Sequence, residues 1–176
     1  MSKVFIFIGC EGSGKTFLAR SILKHVHPEA RLIFDVNNEH QDLYPVPFNR
    51  SMDDFLTKIE HRKHCAALFE DATSFFSVSG REQRLIELMI ERRHTHNSFL
   101  FLFHSFQDVP KYILRRATDI VIFKTKDLPG YMDANYKNTE YLQAWKDVQT
   151  QAKGHRFFAT YPPPKGVIPP SKHLKQ

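Results

Sequence analysis

Cysteine is nearly missing from this sequence of 176 residues: Cys10 and Cys65 are the only two, too few for a disulfide framework. Both lie in or beside apolar runs and read as reduced, buried thiols of a reducing compartment. No apolar stretch approaches the roughly 20 residues that cross a bilayer, so no transmembrane helix is expected. A secretion signal is missing too, because the short apolar run after Lys3 ends in glycine and lysine rather than at a small-residue cleavage site. These absences predict a soluble chain that is not secreted. Tryptophan occurs once against sixteen phenylalanines and six tyrosines, so the aromatic mass is mostly apolar. What is present is ordinary for a globular domain: 41% apolar and 25% charged residues exclude bulk disorder, collagen and a coiled-coil rod. Lysine and arginine number 25 against 19 acids, and the formal charge of +6 favours a polyanionic partner.

Short runs rich in Val, Ile and Phe recur along the chain: Val4 to Ile8, Leu32 to Val36, Ala66 to Phe69, Phe99 to Phe103 and Ile120 to Phe123. Each is too short for a helix and, apart from Asp35 in the second, continuously apolar, as strands of a parallel sheet covered on both faces are. The phenylalanines fall largely here and are expected to be core. Helical patterns lie between the runs, over Thr16 to Val26, Ser51 to Lys63, Arg81 to Thr95, Asp108 to Arg116 and Thr139 to Lys153. Ser51 followed by Asp53 and Asp54 suits a helix N-terminus, Pro110 suits a first turn, and Pro28 stops the first helix. Alternation of this kind predicts an α/β three-layer fold with a central, mainly parallel five-stranded sheet. Residues 1–153 are expected to form this domain and residues 154–176 a Pro-rich basic tail. Asp127 to Asn138 reads as a loop. From Tyr161 onward Pro162, Pro163, Pro164, Pro169 and Pro170 alternate with Lys165, Lys172 and Lys175, which predicts an extended basic arm.

The strongest chemical signal is Gly9-Cys10-Glu11-Gly12-Ser13-Gly14-Lys15-Thr16, a full match to G-x-x-x-x-G-K-[ST] between a buried strand and a helix. Such a loop curls backbone N–H groups around phosphate, with Gly9, Gly12 and Gly14 permitting the curl and Ser13 contributing to the cradle. Lys15 reaches the β- and γ-phosphates, and the Thr16 hydroxyl is a Mg²⁺ ligand. This marks a P-loop NTPase. Its second half is expected at Cys65-Ala66-Ala67-Leu68-Phe69-Glu70-Asp71, a buried run ending in two carboxylates. One of Glu70 and Asp71 can hold the metal, and the other can polarise the attacking water. Gln107, just past the fourth run, is a candidate for orienting that water or sensing the γ-phosphate. GTPase base-reading motifs do not fit, because Asp127-Leu128-Pro129-Gly130 and Thr125-Lys126-Asp127 overlap and stand in the wrong order. His61 with His64, and His94 with His96, lack a cysteine or carboxylate set at ligand spacing, so zinc is not expected.

Taken in order, these motifs resemble the FtsK–HerA superfamily of DNA-pumping ATPases, and most closely the compact genome-packaging ATPases of membrane-containing double-jelly-roll (tectivirus-like) viruses. The resemblance spans residues 3–125. It rests on the phosphate loop, on Phe34-Asp35-Val36-Asn37-Asn38-Glu39, and on the acidic pair. Arg92-Arg93-His94, Gln107-Asp108-Val109-Pro110 and Arg115-Arg116-Ala117-Thr118-Asp119 complete it. One departure stands out: the family usually ends its third strand Asp-Glu, whereas this chain has Glu70-Asp71. By position Glu70 takes the metal and Asp71 the base role, and the reverse assignment stays open.

The resemblance implies a RecA/FtsK-like ATPase that uses ATP and Mg²⁺, assembles into a homo-oligomeric ring of five or six copies and pumps double-stranded DNA. An arginine from a neighbouring subunit would stabilise the transition state, with Arg93 the first choice, then Arg92, then Arg116. It further implies a capsid vertex or membrane-associated viral protein as partner, and a place in the host cytoplasm or on the virion. Lys124, Lys126 and the tail lysines are candidate DNA contacts, which carry no sequence information. The sequence opens almost directly on its first strand, which gives the expectation of no N-terminal recognition domain. Two other readings compete: a nucleoside or nucleotide kinase, and an assembly or secretion ATPase that does not act on DNA.

Overall fold

The short apolar runs do become strands, because each buries side chains on both of its faces. In the computed structural model, described for residues 2–35, 40–43, 51–76, 81–137, 139–151 and 159–161, these are β1 (Val4–Ile8), β2 (Arg31–Phe34), β3 (Ala66–Phe69), β4 (Ser98–Phe103) and β5 (Asp119–Ile122). The sheet runs β2-β3-β4-β1-β5, with every one of these pairings parallel. Ile6 at the centre of β1 stands opposite Phe101 on one side and Ile120 on the other. A parallel sheet brings the carboxyl ends of all its strands to one edge, where open α/β sheets bind ligands.

The helices are α1 (Lys15–Lys24), α2 (Met52–Glu60), α3 (Ala72–Phe76), α4 (Arg81–Thr95), α5 (Lys111–Leu114), α6 (Pro129–Tyr136) and α7 (Glu140–Thr150). Alternation along β4 divides them between two cores. Leu100 and Leu102 face the layer of α1, packing with Phe7, Ala19, Leu23 and Leu68. Phe99, Phe101 and Phe103 face the opposite layer, with Phe55 of α2, Phe75 of α3, Met89 of α4, Met132 of α6 and Trp145 of α7. The prediction of a three-layer α/β sandwich therefore holds, and its layers are unequal among the described residues. The single tryptophan is buried in the heavier one, and its ring N–H donates to Thr125 Oγ1 at 2.9 Å.

The phenylalanine surplus builds that heavier core. Phe69 lies over Phe101 with ring centroids 4.7 Å apart, and Phe55 and Phe75 present edges to Phe69 at 5.2 and 5.4 Å. Phe101 is fully buried at the middle of this group, where the sheet backbone leaves little room to collapse. Phe101→Ala is expected to cost about 3–5 kcal/mol of unfolding free energy. Urea denaturation checks this as a fall in midpoint at constant slope.

Three local expectations are corrected. Asp127 to Asn138 reads as a loop in the sequence, yet α6 occupies most of it. Pro129 is tolerated in a first helical turn, and Met132 and Tyr136, one turn apart, both bury against the core. Tyr136 also holds the chain past β4, its hydroxyl reaching the Phe106 carbonyl at 3.5 Å. The helix expected over Asp108 to Arg116 is a 3₁₀ turn at Phe106–Asp108 followed by the short α5, because Pro110 separates them. Finally, the sheet has a sixth strand, β6 (Ala159–Tyr161), which pairs antiparallel with β5 so that Ile122 stands opposite Ala159. It adds to the edge of β5, whose outward backbone groups would otherwise lack partners. β6 lies inside the stretch assigned to the tail, and the prolines that follow lie outside the described residues.

Candidate active site

The phosphate loop begins where β1 ends, and its shape depends on backbone packing. Gly9 N–H donates to the Phe103 carbonyl at 3.1 Å and Cys10 N–H to the Lys124 carbonyl at 2.7 Å, tying the loop to the ends of β4 and β5. A Cβ on Gly9 would stand 2.5 Å from Phe123 Cβ, a distance that no side chain accepts. Gly14 has φ 102° and is the N-cap of α1, so no side chain occupies the N–H groups of the first helical turn. No acid lies in that turn either. The result is a helix N-terminus open to an anion.

Lys15 is only 7% exposed, and its ammonium folds back onto its own loop, donating to the carbonyls of Gly9 at 2.5 Å and Cys10 at 3.0 Å. Burial pulls its pKa below the ordinary value, while the nearby Cys10, Glu70 and Glu11 oppose that shift. A phosphate arriving at the loop would offer this cation better compensation than neutral carbonyls do.

Glu70 follows β3 and reaches the loop from the side. Thr16 Oγ1 donates to Glu70 Oε1 at 2.8 Å. The second carboxylate oxygen, Oε2, lies 2.6 Å from Nε2 of His40, a fully buried side chain on the turn after β2. The His40 backbone N–H in turn donates to Asp35 Oδ2 at 2.8 Å, and Asp35 is itself fully buried. Asp71, next to Glu70, has a different environment: Ser74 N–H donates to its Oδ1 at 3.3 Å, and the Ser74 hydroxyl bonds its Oδ2. It is placed to cap α3, which begins at the next residue.

A cavity of about 530 Å³ opens between the phosphate loop and this acidic pair, with Phe17 and His104 completing its wall. Thr16 and Glu70 offer it a hydroxyl and a carboxylate oxygen, the hard donors that Mg²⁺ prefers. The residue types and their juxtaposition therefore fit a magnesium–nucleotide site.

The other sequence candidates lie away from the cavity. Gln107 is exposed on the 3₁₀ turn after β4, while His104, at the end of the same strand, is the residue that reaches the wall. Arg92 and Arg93 lie in the last turn of α4, and β4 begins three residues after it. They therefore sit at the amino edge of the parallel sheet, opposite the phosphate loop of their own chain. Arg116, preceding β5, belongs to the same edge. Desolvation, with repulsion from Arg93 and Arg116, lowers the pKa of Arg92. Arg92 Nη1 donates to the Met89 carbonyl at 2.6 Å, while its Nε is buried without a partner among the described residues.

His40, His104 and Phe17 do not stand out in the sequence as site residues. Phe17 has no usable signal, since its pattern places it on the apolar side of α1 although it is 62% exposed. His40 has none, since its approach to Glu70 exists only once β2 and β3 are paired.

No model of a known protein family matches the sequence, and no curated protein matches it. Solved structures do match. The genome-packaging NTPase B204 of Sulfolobus turreted icosahedral virus 2, in complex with AMP, has a TM-score of 0.70 at 18% identity, over 91% of this chain and 92% of that one. The same NTPase in complex with ATP-γ-S has a TM-score of 0.70 at 16% identity, covering 91% of both chains. B204 of Sulfolobus turreted icosahedral virus, a DNA-packaging ATPase, also scores 0.70 at 16% identity, over 90% of this chain and 91% of that one. The chain shares their fold, that of a P-loop NTPase, over nearly its whole length.

Proposed function

We propose that this chain is an ATP-hydrolysing motor that moves double-stranded DNA into a viral capsid. The observation that carries hydrolysis is the hydrogen bond from Thr16 to Glu70 across the mouth of an open phosphate loop. It brings a hydroxyl and a carboxylate, residue types suited to Mg²⁺, side by side near the Lys15 ammonium, which supports the metal reading. Magnesium, when bound there, neutralises charge on the phosphate oxygens. The packaging reading is supported by the fold shared with B204 along nine-tenths of the chain and by the net charge of +6, suited to sequence-blind contact with DNA phosphates.

In this reading Gly9, Gly12, Ser13, Gly14, Lys15 and Thr16 bind the nucleotide phosphates, and Glu70 orients the metal. Asp71 activates water, and Gln107 orients it only if the exposed turn after β4 that carries it moves toward the cavity. The arginines at the amino edge cannot serve their own cavity. Arg93, exposed at that edge, is the first candidate to complete a neighbour's site, with Arg92 and Arg116 behind it. That assignment requires a neighbouring subunit, as a homo-oligomeric ring of five or six copies would supply. Lys124, Lys126 and the basic tail supply grip on DNA or docking to a capsid vertex or membrane-associated viral protein. No described helix is long and apolar enough to cross a membrane; the packaging reading itself puts the motor in the host cytoplasm or in association with the virion.

The test is steady-state ATP hydrolysis with and without linear duplex DNA at two salt concentrations. Duplex DNA is expected to stimulate turnover several-fold at low salt, with stimulation weakening as salt rises. Turnover indifferent to DNA, together with phosphate transfer to a nucleoside, would replace this reading with that of a kinase.

A further inference from the structure

We infer that His40 is a positioning residue for the metal-binding carboxylate: its ring N–H holds Glu70 Oε2 so that Oε1 remains on the Thr16 hydroxyl. The inference rests on the magnesium–nucleotide reading of the cavity and adds a residue to it. It does not depend on DNA.

The geometry is that of a two-point clamp. A carboxylate at the end of a strand keeps free rotation about its last bonds, and one hydrogen bond fixes only one of its oxygens. Here Oε1 accepts from Thr16 at 2.8 Å and Oε2 lies 2.6 Å from His40 Nε2, so each oxygen is held by a different element. An ionised carboxylate only accepts, so Nε2 is the donor and carries the ring proton. Nδ1 is then buried without a partner among the described residues. An orphaned buried ring nitrogen costs free energy. Packing alone would favour an apolar side chain in that position over a fully buried imidazole with one useful hydrogen bond.

The turn that carries His40 is itself anchored on both sides. Asp35 at the end of β2 accepts the His40 backbone N–H at 2.8 Å. Two residues further on, Asp42 takes both of its oxygens to Arg20 of α1, at 2.7 and 2.6 Å. The same helix begins with Lys15 and Thr16. His40 therefore reaches Glu70 from a turn fastened to the helix that presents the phosphate loop, and the distance between the two metal-ligand candidates is set by one connected framework. Residues that hold a ligand in this way usually change metal affinity or activity about 10- to 100-fold when removed.

The test uses the full chain with Mn²⁺ as the probe, counting metal bound to the protein–nucleotide complex by electron paramagnetic resonance. Binding of a fluorescent ATP analogue without metal is measured in parallel. His40→Ala is expected to weaken Mn²⁺ binding about 10- to 100-fold, while metal-free nucleotide binding stays near the parent value. His40→Gln, whose amide N–H reaches a similar distance, is expected to restore most of the metal affinity. Parent-like Mn²⁺ affinity in His40→Ala would overturn the inference. So would a His40→Gln protein no better than His40→Ala, or loss of metal-free binding and thermal stability in both variants, which would mark His40 as structural. If the parent chain binds no Mn²⁺ with nucleotide, and Thr16→Ala changes nothing, the reading of the cavity fails first, and the clamp with it.

Discussion

Lys15→Ala will lower kcat/KM for ATP by about 10²- to 10³-fold, the usual consequence of removing one preorganised donor to charge that develops in a transition state. The expectation follows from where the ammonium is kept. It is 7% exposed and held by the Gly9 and Cys10 carbonyls, so it is already inside the site, desolvated and within reach of any phosphate seated on the loop. Alanine supplies neither charge nor reach. The fold should survive the change, because alanine is the best helix former and α1 buries Ala19 and Leu23 against the sheet regardless. Two carbonyls lose a donor, yet an ammonium no longer has to be buried, and these contributions oppose one another. The measurement pairs ATP turnover with a thermal melt. Loss of turnover with a melting temperature within a few degrees of the parent is the expected outcome. Retained turnover would remove the phosphate role from this loop.

The difference between what could and could not be read from the amino-acid order has a physical basis. β1, β3 and β4 are legible because burial on both faces demands unbroken apolar runs, and Phe99 to Phe103 contains no polar residue to interrupt one. The phosphate loop is legible because its pattern is local: glycines, lysine and threonine stand within eight consecutive residues, Gly9 to Thr16. Glu70 is legible because a carboxylate at the end of a buried strand is costly unless a cation or a set of donors meets it there. β6 is different. Its three residues take their state from the open edge of β5 and not from any periodicity of their own. α6 is hidden by Pro129 and Gly130, which signal a turn, although Pro sits harmlessly in the first turn and the burial of Met132 and Tyr136 decides the outcome. His40 is hidden for a stronger reason. Thirty residues separate it from Glu70, and only the parallel pairing of β2 with β3 brings the ends of those strands together.

The adjacent carboxylates are expected to separate by phenotype. Glu70→Gln will weaken both metal binding and turnover, by about 10²-fold or more in kcat/KM. The reason is a count of donors. Thr16 and His40 each donate to Glu70, and an amide has only one accepting oxygen, so one donor must face an NH₂ group whichever way the amide turns. Asp71→Asn has a different geometry. Its two oxygens serve Ser74; asparagine keeps one acceptor for the Ser74 N–H and remains a good helix cap, so α3 should stay in place. Metal and nucleotide affinity should then be retained while kcat falls by about 10²- to 10⁴-fold, the range expected when a general base is removed. Ser74→Ala adds a control, since it removes the hydroxyl bond to Oδ2 while the backbone N–H still caps through Oδ1 and the charge of Asp71 is untouched, and it should leave hydrolysis measurable. Metal titrations at saturating ATP, run beside kcat, distinguish the two positions. Metal affinity lost in Asp71→Asn and kept in Glu70→Gln would exchange their roles, making Glu70 the base and forcing Asp71 to leave Ser74 whenever magnesium binds.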